Sequence, residues 1–173
     1  MKSFLLTVVA VFTLATLSRA DDVTVKISNV HLCCDSCVKA ANKIVATVDG
    51  AKAAVDKTER TIEITAPDLA TVQKVADALV KAGFFGDSSD PGVKMDASTG
   101  AKGEKVQTLT VQGVHLCCPK CVKAVHAAVM SVPGVTGETA AKGAESFTVT
   151  GDFNDADVFA ALQKAGLTGK AGN

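Results

Sequence analysis

The sequence has no tryptophan and no tyrosine, and only four prolines in 173 residues. Without those two aromatics it lacks the platforms on which single-stranded bases stack. Its 18 basic residues are matched by 18 acidic ones, with none of the clustering that displaces counterions from a phosphate backbone. No nucleic-acid partner is therefore expected. Long apolar runs are scarce too. The run from Phe4 to Leu17 has 14 residues, against the about 20 that a membrane span needs.

That run follows Lys2 and precedes Ser18-Arg19-Ala20, where small residues offer a signal-peptidase site. Residues 1–20 are expected to be a cleaved signal peptide, making the protein exported, periplasmic or secreted, with no membrane association after cleavage. Cleavage removes Lys2 and Arg19 and no acid, leaving 16 basic against 18 acidic residues. A balance so close to neutral gives no electrostatic pointer to a partner.

What is present is a repeat. "VHLCCDSCVKA" at Val30–Ala40 returns as "VHLCCPKCVKA" at Val114–Ala124, identical at nine of eleven positions with an offset of 84. Val48 and Gly50 match Val132 and Gly134, and "LVKAG" at Leu79–Gly83 matches "LQKAG" at Leu162–Gly166. Two halves of one origin share one fold. Between them, "DSSDPGVKMDASTGAKGEK" is rich in Ser, Asp, Gly and Lys and reads as a flexible linker. The expected organisation is domain one over 21–86, linker over 87–104 and domain two over 105–173.

Within each half the periodicities alternate. Val23, Val25 and Ile27 recur every second residue, as do Leu109 and Val111, which marks strands. Val38, Ala41, Ile44, Val45 and Val48, matched by Val122, Val125, Val129 and Val132, follow helical spacing from the cysteines onward. Strand signals come at Ala53–Val55 and Thr61–Thr65, with Phe147 and Val149 in the second half. A second helix carries Leu69, Val72, Val75, Ala76 and Leu79, with Asp68 as its N-cap and Gly83 at its C-terminal end. Val158, Phe159 and Leu162 repeat it, and short strands are expected near Phe84–Gly86 and Leu167–Lys170. The fold class is α+β: two tandem ferredoxin-like βαββαβ domains after a signal peptide. Domains this small have marginal cores.

All six cysteines lie in two clusters, Cys33, Cys34 and Cys37, then Cys117, Cys118 and Cys121. A disulfide framework is the default for an exported chain. Bridges within a cluster would close loops of only about four residues, worth roughly 2 kcal/mol in the chain-entropy model. Metal suits the pattern better. Two thiols at X-X spacing across a helix start converge on one ion, and the helix N-terminus favours the thiolate. Pro119 suits a first helical turn. Lys120 lowers the thiol pKa values of the second cluster while Asp35 opposes this in the first, so the second cluster is expected to hold the more acidic thiols.

With "CDSC" or "CPKC" between first strand and first helix, "VDGA" or "VPGV" after that helix and "KAGF" or "KAGL" after the second, each half resembles the heavy-metal-associated domain. That family includes copper chaperones, the N-terminal domains of metal-transporting ATPases and the periplasmic mercury-binding protein. The resemblance implies a CxxC pair that binds Cu(I), or another soft ion such as Hg(II), at near-linear geometry and passes it on by ligand exchange with a donor or acceptor protein. It places the pair on Cys34 with Cys37 and on Cys118 with Cys121. The family's Gly-Met-Thr before the pair is here His31-Leu32-Cys33 and His115-Leu116-Cys117. Cys33, Cys117, His31 and His115 are thus accessory candidates. Three cysteines and a histidine would satisfy tetrahedral Zn(II), although vicinal Cys33 and Cys34 are not expected to face one ion. Phe84 and Leu167 fall where the family often has an aromatic or a lysine. His126 and Met95 are assigned to no site.

No catalysis is expected. The expected function is to capture, buffer or transfer a soft metal ion, Cu(I) first. The rivals are thiol-disulfide exchange, disfavoured because no aromatic precedes the motif and each repeat is short, and an interaction module with a vestigial metal site.

Overall fold

The computed structural model describes residues 21–172; the expected signal peptide lies outside the described residues. The first half runs β1 (Val23–Ser28), α1 (Asp35–Val45), β2 (Lys52–Asp56), β3 (Thr61–Ala66), α2 (Leu69–Lys81) and β4 (Asp87–Ser88). The second runs β5 (Lys105–Gln112), α3 (Pro119–Met130), β6 (Val135–Glu138), β7 (Ser146–Asn154), α4 (Asp155–Lys164) and β8 (Lys170–Ala171). The sheets are antiparallel with orders β2-β3-β1-β4 and β6-β7-β5-β8. This is the ferredoxin-like α+β arrangement, made twice.

The alternation in β1 works as sheet chemistry demands. Val25 and Ile27 point into the core opposite Ile64 and Ile62 of β3, while Thr24 and Lys26 face out. Each helix buries one stripe: Cys37, Ala41 and Val45 on α1, and Cys121, Val125 and Val129 on α3. The second cysteine of each CxxC is therefore the first core residue of its helix. Asp68 caps α2 by accepting from the Thr71 amide at 2.7 Å, and Asn154 does the same for α4 through the Ala156 amide.

Three features depart from the sequence expectation. Strand β6 was not marked, because Val-Thr-Gly-Glu carries one apolar residue and a register shift falls between Val135 and Gly137. The last strand of each half sits later than expected, at 87–88 and 170–171, with Phe84 and Leu167 instead forming an isolated bridge to each other. The third departure is the segment 87–104. It is no free tether: it begins with β4, buries Val93 and packs Met95 on the core. The Gln73 side chain holds both backbone groups of Lys94 at 2.7 and 2.8 Å. Its polar composition signals side chains that satisfy an irregular backbone.

Asp155 closes that segment. Its buried carboxylate accepts from the amides of Lys102, Gly103 and Glu104 at 2.9, 2.8 and 3.0 Å. Burial pushes this carboxyl up, but the hydrogen bonds from the backbone prevail and hold it below its usual value. Asp155→Ala should cost about 2–3 kcal/mol, since charge-assisted bonds are lost and donors orphaned. For a chain of this length the expected fall in melting temperature is roughly 5–10 °C. The depressed pKa means that this stabilisation is complete above about pH 4, the ordinary carboxyl value, and is lost as pH falls through the folded-state value. A calorimetric pH series on both proteins checks it: equal losses in the two below pH 4 would refute the role of Asp155.

The halves meet through two matching helix ends. After α2, the Gly83 amide bonds to Val80 O and the Phe84 amide to Leu79 O; after α4, Gly166 and Leu167 repeat this with Gln163 and Leu162. These are Schellman turns, with glycines at φ +85° and +81°. Each turn docks on the other half. Gly166 O accepts from the His31 and Phe85 amides at 3.1 and 3.2 Å, and Gly83 O accepts from the Thr168 amide at 3.0 Å. Arg60, itself at φ +58°, donates to Asn29 O and Val30 O in its own half and reaches Ala165 O of the other at 3.5 Å.

Candidate metal centre

Docking the turns points the starts of α1 and α3 at one another. Cys34 and Cys118 are the N-cap residues, both extended, and their carbonyls accept from the Cys37 and Cys121 amides at 3.0 Å. Pro119 opens α3 as expected. Cys33 and Cys117 lie in the loops just before. Cys37 and Cys121 are fully buried, whereas the other four sulfurs are half-buried and all six are free thiols.

The six sulfurs form one continuous group. Within the first half, Cys37 Sγ lies 3.6 Å from Cys33 and 3.7 Å from Cys34. Within the second, Cys121 Sγ lies 3.7 Å from Cys117 and 3.6 Å from Cys118. Contacts between halves are as short: Cys33 to Cys118 at 3.4 Å and to Cys121 at 3.6 Å, Cys34 to Cys118 at 3.7 Å, Cys37 to Cys117 at 3.6 Å and to Cys121 at 3.9 Å. The vicinal pair Cys33 and Cys34, expected to diverge, does meet at a shared point. Cys118 arrives from the other half and touches both, and the three sulfurs fall within 4.8 Å of one another.

The protons are shared across the group as well. The Cys37–Cys121 contact pushes Cys37 toward the thiolate and Cys121 the other way, and the His115 and Cys117 side chains add to the lowering at Cys37. Burial pushes Cys33 up, and its hydrogen bond to Cys118 adds to this. Burial likewise raises Cys117, to about 12, aided by its bond to Cys37. Burial alone would raise Cys118, but the Cys121 amide and neighbouring thiols bring it down to about 6. The acidic thiols are thus divided between halves, and the expected bias toward the second cluster is not found. Part of the reason is local: Lys57 pairs with Asp35 at 2.5 Å and answers the charge that was to disfavour thiolates in the first half.

The histidines close the sides of the group. His31 offers its ring nitrogen to Cys33 of its own half and Cys121 of the other, all within 4.8 Å. The ring of His115 stacks on Phe84 from the opposite half, centroids 4.4 Å apart and planes tilted by 30°. Nε2 of both histidines is buried without a hydrogen-bond partner. Desolvation lowers the pKa of His31, with smaller contributions from Arg60 and His115 against an opposing one from Cys37. The shift favours the neutral imidazole, the form that ligates metal. His126 stands apart, paired with Glu138 on the surface at 2.9 Å. The sequence did not mark Arg60, nor the roles of Gly83 and Gly166 in joining the halves; the "KAG" motif repeated at both helix ends was the available signal.

Fold and site together define a tandem ferredoxin-like protein with one thiol-rich centre between its halves. No protein-family model matches the chain, and no curated protein matches it. Among solved structures, three are reported as similar to it. A copper-binding domain from HMA7, a P-type ATPase, is 24% identical over 39% of this chain and 96% of that one, with a TM-score of 0.36. The N-terminal domain of PacS from Synechocystis PCC6803 is 22% identical over 39% of this chain and all of that one, also at 0.36. The N-terminal soluble domains of Bacillus subtilis CopA are 15% identical over 88% of this chain and 95% of that one, at 0.32.

Proposed function

We propose that this protein is an exported, non-catalytic carrier that takes up a soft metal ion, Cu(I) first, and gives it to or receives it from another protein by thiolate exchange. The observation that supports the reading is the convergence of all six thiols, from both repeats, into contacts of 3.4–3.9 Å. Soft thiolates select Cu(I) and related ions over hard cations. Cys34, Cys37, Cys118 and Cys121 supply the principal thiolates, joined by Cys33 and Cys117. Each thiol that ligates releases its proton to solvent. The half-buried sulfurs remain within reach of an incoming thiolate, as ligand exchange requires. The HMA7 domain named above is described as copper binding.

Titration of the reduced full chain with Cu(I), Zn(II) and Hg(II) against competing chelators tests the reading. Cu(I) should be retained, with Zn(II) held more weakly and displaced by it. A reduced protein that holds none of the three ions, and instead exchanges disulfides rapidly with glutathione, would make it a redox protein. One that does neither would leave an interaction module.

A further inference from the structure

The distances between sulfurs do not suit two separate linear sites. A two-coordinate ion with metal–sulfur bonds of about 2.3 Å needs its sulfurs about 4.6 Å apart, a three-coordinate one about 4.0 Å and a tetrahedral one about 3.8 Å, so the contacts fit ions bound by three or four ligands. The CxxC pairs stand at 3.7 Å for Cys34 with Cys37 and 3.6 Å for Cys118 with Cys121. The contacts trace three triangles instead: Cys33-Cys37-Cys121, Cys33-Cys118-Cys121 and Cys37-Cys117-Cys121, with edges from 3.4 to 3.9 Å. Every triangle draws on both halves. Cys121 belongs to all three, and Cys33 and Cys37 to two each, so these sulfurs are placed to bridge neighbouring ions.

Charge leads to the same result. Ligation by all six sulfurs would put six thiolates close together in a partly buried site, and one monovalent ion would offset little of their repulsion. Several would offset most of it. Two donors also remain unused: the buried, unpartnered Nε2 atoms of His31 and His115, and the ring of His31 stands beside a sulfur pair that spans the halves. A buried polar nitrogen without a partner is costly and asks for a ligand.

We infer that the two halves jointly hold one polynuclear cluster of a monovalent soft metal, built on bridging thiolates of Cys33, Cys37 and Cys121 and closed by the imidazoles of His31 and His115. The inference rests on the soft-metal reading above and goes beyond it in nuclearity and ligand set. His31 serves an ion shared with Cys121 of the opposite half, and His115, held against Phe84 of the opposite half, closes the other side. The probe is Cu(I) itself.

The reduced full chain is loaded anaerobically with Cu(I), ions are counted by native mass spectrometry, and X-ray absorption reads the neighbours of copper. Three or more ions per chain, filled cooperatively, with copper–copper and copper–nitrogen scattering, are expected. His31→Ala with His115→Ala should abolish the nitrogen scattering and weaken the last-filled ions at least about tenfold, the lower bound for loss even of an outer-shell group. His31→Gln with His115→Gln, which keeps the polar packing, guards against a folding defect, and circular dichroism of the metal-free variants checks it. Two independent ions, each on two sulfurs and indifferent to both histidine variants, would overturn the cluster while leaving soft-metal binding intact. Failure to retain Cu(I) at all would overturn both.

Discussion

Cys37→Ser combined with Cys121→Ser should lower the affinity for Cu(I) at least about a hundredfold, because two ligands are lost where even outer-shell partners are each worth about 10–100-fold. Both residues are fully buried on the core stripe of their helices. They touch each other and between them reach every other sulfur of the group. None of the three triangles survives their removal, and the looser group of Cys33, Cys34 and Cys118 is what remains. Cys33→Ser with Cys117→Ser provides the contrast. It leaves both CxxC pairs intact, so independent sites would keep two ions at unchanged affinity, whereas a shared centre should lose ions and cooperativity. Competition against a Cu(I) chelator measures both pairs. An affinity within tenfold of the parent for the Cys37/Cys121 variant, in protein shown by circular dichroism to be folded, would remove these residues from the ligand set.

Separating the halves should have the second large effect. A β-carbon at Gly83 would fall on the His115 amide nitrogen and Gly113 O, and one at Gly166 on Asn29 O and the His31 amide nitrogen. These are backbone atoms and cannot swing aside. Gly83→Ala with Gly166→Ala should therefore wedge the halves apart, break the three backbone hydrogen bonds between them and expose Phe84 and Leu167. A larger radius of gyration in small-angle scattering is expected, together with loss of copper–copper scattering and a fall to isolated ions. Alanine at positive φ is strained anywhere, by about 1–2 kcal/mol. Gly143→Ala supplies the control, at φ +77° with no atom within 4 Å of the added carbon. Equal behaviour of the two variants would mean that the glycines serve their turns alone and not the contact between halves.

The repeat, the order of strands and helices, and the position of each CxxC at a helix start were all readable in the chain. Each depends on local pattern: Val25 and Ile27 alternate, Cys37, Ala41 and Val45 recur at helical spacing, and Asp68 stands one residue before a helix. Strand β6 escaped because a short edge strand with a bulge carries almost no alternation. The segment 87–104 was misread for a related reason, since its anchors are distant: Gln73 lies 21 residues before Lys94, and Asp155 lies 51 to 53 residues beyond the amides that it binds.

The centre itself belongs to the tertiary structure. Sequence alone placed three thiols in each of two separate clusters, and the pairing of Cys34 with Cys37 and of Cys118 with Cys121 followed from spacing and resemblance. That Cys33 meets Cys118, that His31 stands beside Cys121 and that Phe84 packs on His115 depend on how two finished domains dock. Docking is decided by the close approach of backbone at Gly83 and Gly166, which needs the absence of a side chain and therefore leaves no periodic mark. The chain alone determined that there would be two thiol sites; the contact between the halves made them one.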